Sequence, residues 1–399
     1  MQLLRYIHRC VALIVVIVTL YLGLTGTAIQ LIDFRSILNN IPATDGNVRA
    51  MRESFDGPPD FAVRATGDYL AQPLPAQAPF ASMLDQTMRS ARTSLPDAPL
   101  RYVELRMAGA TPVGQVGVGE GYLRFDAQNG ALVAREAREP REVQSPDAAR
   151  NTFKRLHRMT TFGDWAMLIN CVAALGLATL ITTGTLVYLK MLFQRRKTGH
   201  GELFWAAGGQ WRYLHRSISL VCALPLLWVT LTGAWLTSEG IYRSIQVSKT
   251  GGVPAPPVPQ PPVIDAQLPG MLRVTMAAAQ AAVGDAPIKV VRLRNYGGYR
   301  QGIVVTGGDT SRQLVFNADT GAAMSETEPG YPRVHFPFGW QAHQTAKSLH
   351  RGDFIGLPGR TLDLLAGLAL IYLSVSGAVM YWQMWQRRRQ AGRHQIVWK

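Results

Sequence analysis

Four of the eight histidines stand in a recurring setting. Arg5-Tyr6-Ile7-His8-Arg9 returns as Arg212-Tyr213-Leu214-His215-Arg216, and Lys154-Arg155-Leu156-His157-Arg158 returns as Lys347-Ser348-Leu349-His350-Arg351. Glycines keep step with them. Leu24-Thr25-Gly26 and Leu231-Thr232-Gly233 place a glycine 18 residues after His8 and His215, and Gly184 and Gly377 follow His157 and His350 by 27. Four matches in one order mark an internal duplication. Each of these histidines precedes a long apolar stretch and is followed by arginine. Neutral imidazole is an axial ligand for haem iron, and a helix bundle can hold a porphyrin between facing helices. A guanidinium fork matches a propionate carboxylate. The pattern nominates His8, His157, His215 and His350 as axial ligands of two b-type haems, with Arg9, Arg158, Arg216 and Arg351 as propionate partners. The rivals are a metal site or a proton relay. A relay prefers intramembrane carboxylates, absent here at mid-depth; zinc wants carboxylate or thiolate company, which only Cys10 offers.

The elements that must position these residues are membrane helices. Four stretches exceed the ~20 apolar residues that cross a bilayer, from Cys10 to Ile32, Trp165 to Phe193, Ile218 to Tyr242 and Leu362 to Trp385. The first is too long for a signal-peptide core and lacks a clear cleavage site, so it is expected to be retained. A net charge of +15 collects at the stretch ends, in Arg195-Arg196-Lys197, Arg212 and Arg387-Arg388-Arg389. That is the positive-inside pattern, not a nucleic-acid face. It places both termini and the 194–216 loop in the cytoplasm of a bacterial inner membrane, and segments 33–156 and 243–349 in the periplasm. His8 and His215 then lie at the inner boundary, His157 and His350 at the outer one. Helix rise separates the two layers by on the order of 30–40 Å, a long gap that Tyr21, Trp228 or Tyr372 could help to bridge. Cys10, Cys171 and Cys222 all lie in or beside apolar helices and define no disulfide framework.

The expected fold is a four-transmembrane-helix bundle from an internal duplication, carrying two small α+β domains. Its parts are span 1 (1–32), a first outer domain (33–156), span 2 with its approach (157–193), a cytoplasmic loop (194–216), span 3 (217–242), a second outer domain (243–349), span 4 with its approach (350–386) and a basic tail (387–399). Each outer segment has Pro-rich stretches (Pro58-Pro59 and Pro73–Pro79; Gly251–Pro262), suited to linkers. A helical run follows (Phe80 to Ser94; Met271 to Val283), then β-branched alternation (Tyr102 to Leu105; Val290 to Leu293). A strand and turn close each unit, Phe125-Asp126-Ala127-Gln128-Asn129-Gly130 and Phe316-Asn317-Ala318-Asp319-Thr320-Gly321. Among the remaining histidines, His343 sits two helical turns before His350, as a surface residue, alternative ligand or substrate contact. His335 is weaker still, and His200 and His394 lie in basic segments and are expected to be solvated. Gly23, Gly26, Gly176, Gly184, Gly233, Gly367 and Gly377 suit either a porphyrin slot or close helix packing.

The duplicated His-Arg approaches, the closing strands Phe125-Asp126-Ala127 and Phe316-Asn317-Ala318, and Leu349-His350-Arg351-Gly352 with Gly356-Leu357-Pro358-Gly359-Arg360 resemble the PepSY-associated transmembrane helix family, often described as iron-regulated membrane proteins. The resemblance spans essentially the whole chain. It implies PepSY-like outer domains and a likeness to inner-membrane ferric-siderophore reductases, the ferrioxamine reductase among them. On that likeness the chain holds two haems b, passes electrons outward and reduces a periplasmic ferric siderophore, whose hard oxygen ligands hold Fe(II) more weakly than Fe(III). Three features depart from the family pattern: Cys10 follows the first His-Arg pair, Ser219 stands four residues past His215, and the stretch from His157 to Trp165 keeps Gly163 but is otherwise loose. No G-x-G-x-x-G follows a strand, so the electron donor is a separate quinol or cytoplasmic reductase. Tyr296, Tyr299, Arg300, Trp340 and His343 are candidate outer contacts. A non-enzymatic PepSY membrane protein regulating proteases or uptake, or a haem shuttle to another periplasmic acceptor, would account for the same family features.

Overall fold

The computed structural model describes residues 2–41, 45–55, 71–138, 148–249, 260–307, 312–324 and 337–398. The first half runs α1 (Gln2–Leu38), α2 (Gly46–Phe55), α3 (Phe80–Ser94), β1 (Leu100–Ala108), β2 (Thr111–Val118), β3 (Gly121–Asp126), β4 (Leu132–Glu136), α4 (Ala149–His157) and α5 (Met167–Lys197). The second runs α6 (Gln210–Val221), α7 (Ala223–Lys249), α8 (Leu268–Val283), β5 (Ile288–Tyr296), β6 (Tyr299–Thr306), β7 (Arg312–Asn317), α9 (Trp340–His350) and α10 (Leu357–Gln390). The expected linker at Pro58-Pro59, positions 251–259 of the expected Gly251–Pro262 linker, and His335 lie outside the described residues.

Three helices, α1, α5 with its preceding turn, and α10, are long and apolar enough to cross a membrane, and α6 with α7 makes a fourth span if the two count as one. This is a multi-pass membrane protein. The third stretch is not the straight helix expected between Ile218 and Tyr242, because α6 and α7 meet at 64° around Cys222. Pro225 gives the reason. It lacks an N–H and its ring collides with the carbonyl four residues back; the corresponding position in α1 is Val18, and α1 continues unbroken. In the bundle α1 packs on α5 and α10, α7 packs on α5 and α10, and α6 lies on α10. We call the end of the bundle near α4 and α9 the sheet side and the other the loop side.

The two expected α+β modules are joined into a single seven-stranded antiparallel sheet of order β4-β3-β2-β1-β5-β6-β7. The halves meet at β1 and β5, with Val103 opposite Leu293 and Leu105 opposite Val291. Helices α3 and α8 cover one face, packing Met83, Leu84, Leu268, Met271 and Leu272 against Val103, Leu105, Val116, Leu123, Phe125, Val291 and Leu293. The two closing turns form alike: the side chains of Asp126 and Asn317 each accept two backbone N–H bonds, and Gly130 and Gly321 take positive φ. Bidentate pairing of Arg92 with Asp265, at 2.6 and 2.7 Å, ties α3 to the second half.

A buried ionic chain joins the bundle to the helices that lead into it. Asp33, near the end of α1, accepts from Arg150 of α4 at 2.6 and 3.0 Å and from Arg360 of α10 at 3.2 Å. Arg360 also forms an ion pair with Asp353 at 2.7 Å, and Asp353 a second one with Arg351 at 2.6 Å. Asp33, Arg150 and Arg360 are no more than 3% exposed, so none can exchange its partner for water. Asp33→Asn leaves two buried guanidiniums short of charge compensation. It should cost about 3–5 kcal/mol, the range for breaking a buried pair, and lower the thermal midpoint of the purified protein in detergent, whereas Glu120→Gln, in an exposed pair with Arg138, should leave that midpoint within error.

Candidate functional site

Each of the four recurring histidines rests against a hydroxyl–glycine pair on a neighbouring helix of its own half. His157, the last residue of α4, puts Nδ1 3.0 Å from Thr25 Oγ1, and a Cβ built on Gly26 would lie 3.1 Å from its Cε1. His350, the last residue of α9, sets Nδ1 3.2 Å from Thr232 Oγ1, and a Cβ on Gly233 would lie 3.0 Å from its Cε1. On the loop side His8 meets Thr183 Oγ1 at 3.0 Å, beside Gly184, and His215 meets Ser376 Oγ at 2.7 Å, beside Gly377. The glycines that recur with the histidines therefore abut imidazoles. Gly23, Gly176 and Gly367 abut Ile371, Val15 and Thr27 instead, and serve helix packing.

Hydrogen bonding settles the direction at Nδ1. The Thr25, Thr183 and Thr232 hydroxyls donate to the carbonyls of Tyr21, Thr179 and Trp228, four residues back, at 2.9, 2.6 and 2.9 Å. A hydroxyl has one proton, so the three threonines, each within 2.9 Å of a carbonyl, accept from their histidines. Ser376 Oγ lies nearer His215 Nδ1, at 2.7 Å, than Leu373 O, at 3.3 Å, and does not fix that ring's tautomer. At His350 the Val229 carbonyl, 3.1 Å from Nδ1, can only accept. At His8, His157 and His350 Nδ1 therefore carries the proton and Nε2 keeps its lone pair, the tautomer of a metal ligand oriented from behind.

The ring pairs cross between halves. His157 and His350 have centroids 6.3 Å apart with planes tilted by 40°, and His8 and His215 lie within reach of each other's charge. Two further equivalent contacts fix the sheet-side pair: Tyr21 Oη donates to Leu156 O at 2.9 Å, and Trp228 Nε1 donates to Leu349 O at 3.1 Å. Both hold the residue before a histidine. Among the described residues no three His, Cys, Asp or Glu side chains converge on one point. Eighteen residues of α1 separate His8 from Gly26, and fourteen of α5 separate Asn170, bonded to His157 O, from Gly184; helix rise makes these about 27 and 21 Å. The layers are nearer than the hydropathy boundaries imply, because the sheet-side imidazoles reach down to Gly26 and Gly233.

The chain as a whole matches the family described as the PepSY-associated TM region, over residues 5–384. The chain belongs to that family. No curated protein matches it. The span covered by the PepSY-associated region holds all four histidines with their hydroxyl–glycine partners.

The arginines of this family member are used unequally. Arg351 is bonded to Asp353, Arg9 and Arg216 stand over Trp398 and Trp205 at 4.7 and 4.9 Å, and Arg158 is exposed with no carboxylate partner among the described residues. His343 is not a free surface residue; its Nδ1 lies 2.7 Å from Glu239 Oε2, and Glu239 also accepts Trp235 Nε1 at 2.8 Å. Tyr296, Tyr299 and Arg300 lie on the β5–β6 hairpin, with Arg300 paired to Asp319, and Trp340 starts α9. His200 and His394 are exposed. Tyr372 stacks on Trp211 at 6.0 Å. In histidine-labelled protein free of ligand, 15N chemical shifts should report Nδ1–H and bare Nε2 for the His8, His157 and His350 rings. Thr25→Val should shift the His157 resonances alone; unchanged shifts, or protonated Nε2, would contradict the assignment.

Proposed function

We propose that this protein carries electrons across the bacterial inner membrane through two haem b groups and reduces a ferric siderophore on the sheet side. The observation that supports it most is the His157–His350 pair. Metal–imidazole bonds of about 2 Å on each side separate two ring centroids by roughly 6 Å, against the 6.3 Å found here. Nδ1 is already spent, so the remaining lone pairs belong to Nε2. Asn170 Oδ1 and Tyr372 Oη are buried with no partner, polar atoms available to a group in the bundle core. On this reading His157 and His350 hold the sheet-side haem and His8 and His215 the loop-side one. A bound haem supplies one-electron redox chemistry at each place.

The residues do the positioning. Thr25, Thr183 and Thr232 fix tautomer and ring direction, Ser376 fixes ring direction at His215, and Tyr21 and Trp228 fix the chain before the sheet-side ligands. Of the four arginines, Arg158 is the one with neither a carboxylate nor an indole against it among the described residues. We read the chain as two copies of a helix–domain–helix unit, a four-helix bundle bearing two PepSY-like domains. The basic loop side would face the cytoplasm and take electrons from a quinol or a soluble reductase, and the domains would face the periplasm and the chelate.

Purified protein should be red, with two haems per chain and a Soret band. His157→Ala or His350→Ala should each remove the same one of two redox transitions, and the double variant should lose no more. His8→Ala or His215→Ala should remove the other. A colourless protein that stays colourless when haem is added would favour a PepSY regulator. Dithionite-reduced protein should be reoxidised by a ferric siderophore; no reoxidation by any of a panel would leave an electron shuttle to another acceptor. Gly26→Ala and Gly233→Ala press a methyl to 3.1 and 3.0 Å from a ligand ring and should lower sheet-side haem occupancy several-fold. At Gly377 the added methyl would sit at 3.7 Å, an ordinary contact, and Gly377→Ala should leave the loop-side signal close to wild type.

A further inference from the structure

The loop-side ends of the bundle carry a second pair of equivalent clusters. At the end of α5, Tyr188 Oη donates to Leu203 O, its ring stacks on Trp205 at 5.1 Å, and the guanidiniums of Arg195 and Arg216 stand over the same indole at 5.0 and 4.9 Å. At the end of α10, Tyr381 Oη donates to Ile396 O at 2.7 Å and its ring stacks on Trp398 at 5.7 Å; Arg388 and Arg9 stand over that indole at 4.5 and 4.7 Å. Each cluster takes one arginine from the end of a span and one from the residue after a loop-side histidine. The second needs the last residues of the chain to fold back onto its first helix, so this tail is not simply solvated.

The charges in these clusters are not balanced. Each indole is flanked by two cations, and none of Arg9, Arg195, Arg216 or Arg388 pairs with a carboxylate among the described residues. An indole face attracts a cation modestly and neutralises nothing. Nε of Arg195 and Nε of Arg388, at equivalent positions, are both buried with no hydrogen-bond partner, although a buried donor left unpaired is destabilising. Arg216 spends Nη2 on the Trp205 and Ala207 carbonyls at 2.9 and 2.8 Å, and Arg9 spends Nε on Arg5 O at 3.1 Å; the remaining N–H groups of each stacked guanidinium keep the edge that fits an oxyanion. Both clusters lie where the apolar helices end, and the ends of a span are where a bilayer presents its phosphates. We infer that each Tyr–Trp–Arg–Arg cluster is a binding site for the phosphate of an anionic phospholipid, two sites per chain. The inference does not depend on the haem reading.

The test is native mass spectrometry of the full chain in detergent, with phosphatidylglycerol or phosphatidylcholine added. Wild type should retain two phosphatidylglycerols and no phosphatidylcholine. Arg195→Gln and Arg388→Gln should each retain one and the double variant none, with thermal midpoints showing that all are folded. Arg196→Gln removes an exposed charge from the same end of α5, outside the cluster, and should retain two. Equal loss in Arg196→Gln and Arg195→Gln, or equal retention of both lipids, would reduce the sites to general basic charge and overturn the proposal. Displacement of both lipids by millimolar inorganic phosphate would assign the sites to free phosphate instead. Retention only after haem is extracted would assign them to the cofactor's carboxylates; either result removes the lipid.

Discussion

The structure turns on a contact made four times, histidine Nδ1 against a hydroxyl, whose own proton is committed to the helix backbone at the three threonines. A threonine or serine inside a helix ordinarily satisfies itself by bonding the carbonyl one turn back. That leaves one acceptor lone pair facing outward from a helix that otherwise offers side chains only. An imidazole that meets it gives up Nδ1–H and is held by the edge, with Nε2 directed elsewhere. A Cβ on the neighbouring glycine would press on the ring at Gly26, Gly184 and Gly233, at 3.1, 3.3 and 3.0 Å, and would make an ordinary contact at Gly377, at 3.7 Å. Serine at 376 with its glycine at 377 makes the closest hydrogen bond and the loosest glycine contact of the four, so the two parts of the pair vary in opposite senses.

The hydroxyl–glycine pairs act within a half, whereas the imidazoles pair between halves, so the relative placement of the halves decides whether the rings meet. Three devices set it on the sheet side. The β1–β5 ladder makes one sheet of two, the Arg92–Asp265 fork ties α3 across, and the Asp33 network links α1 and α4 of the first half to α10 and the residues after His350 in the second. A buried ionic chain is a poor source of net stability, since desolvation offsets most of the attraction. It is a strict specifier of position, because no slipped arrangement satisfies two carboxylates and three guanidiniums together. Gly352 completes the turn: at φ 72° its backbone touches that of Gly359, which brings Arg351, Asp353 and Arg360 within bonding distance.

Much of this was legible in the residues. The repeat, the membrane stretches, the four histidines and the two closing turns all follow from sequence spacing, because hydropathy and turn chemistry are local. The hydroxyls have a local signal too, a Thr-Gly or Ser-Gly repeating at all four places, as in Leu24-Thr25-Gly26 and Leu231-Thr232-Gly233. Pro225 likewise foretold a break that its apolar surroundings masked. What could not be read was non-local. Nothing local joins β1 to β5, sends Trp398 back to Arg9, or pairs His343 with Glu239 across 104 residues, since each depends on how distant elements pack.

The division of the ring pairs between the first and second halves of the chain has a physical consequence for any group held between them. One half supplies a single oriented imidazole to each layer and cannot complete a two-ligand site, so a half alone gains little from such a group. Two halves gain the whole of its binding free energy, and that energy opposes their separation as well as their unfolding. The layers differ in what else holds them. On the sheet side the ladder, the Arg92 fork and the Asp33 chain already fix the halves before anything binds. On the loop side, α6 leaves the bundle axis by 64°, and a tyrosine–tryptophan stack under two unbalanced guanidiniums closes each end. The sheet-side pair is therefore preorganised by protein alone, and the loop-side pair leans more on whatever anion and whatever group between its rings come to occupy it.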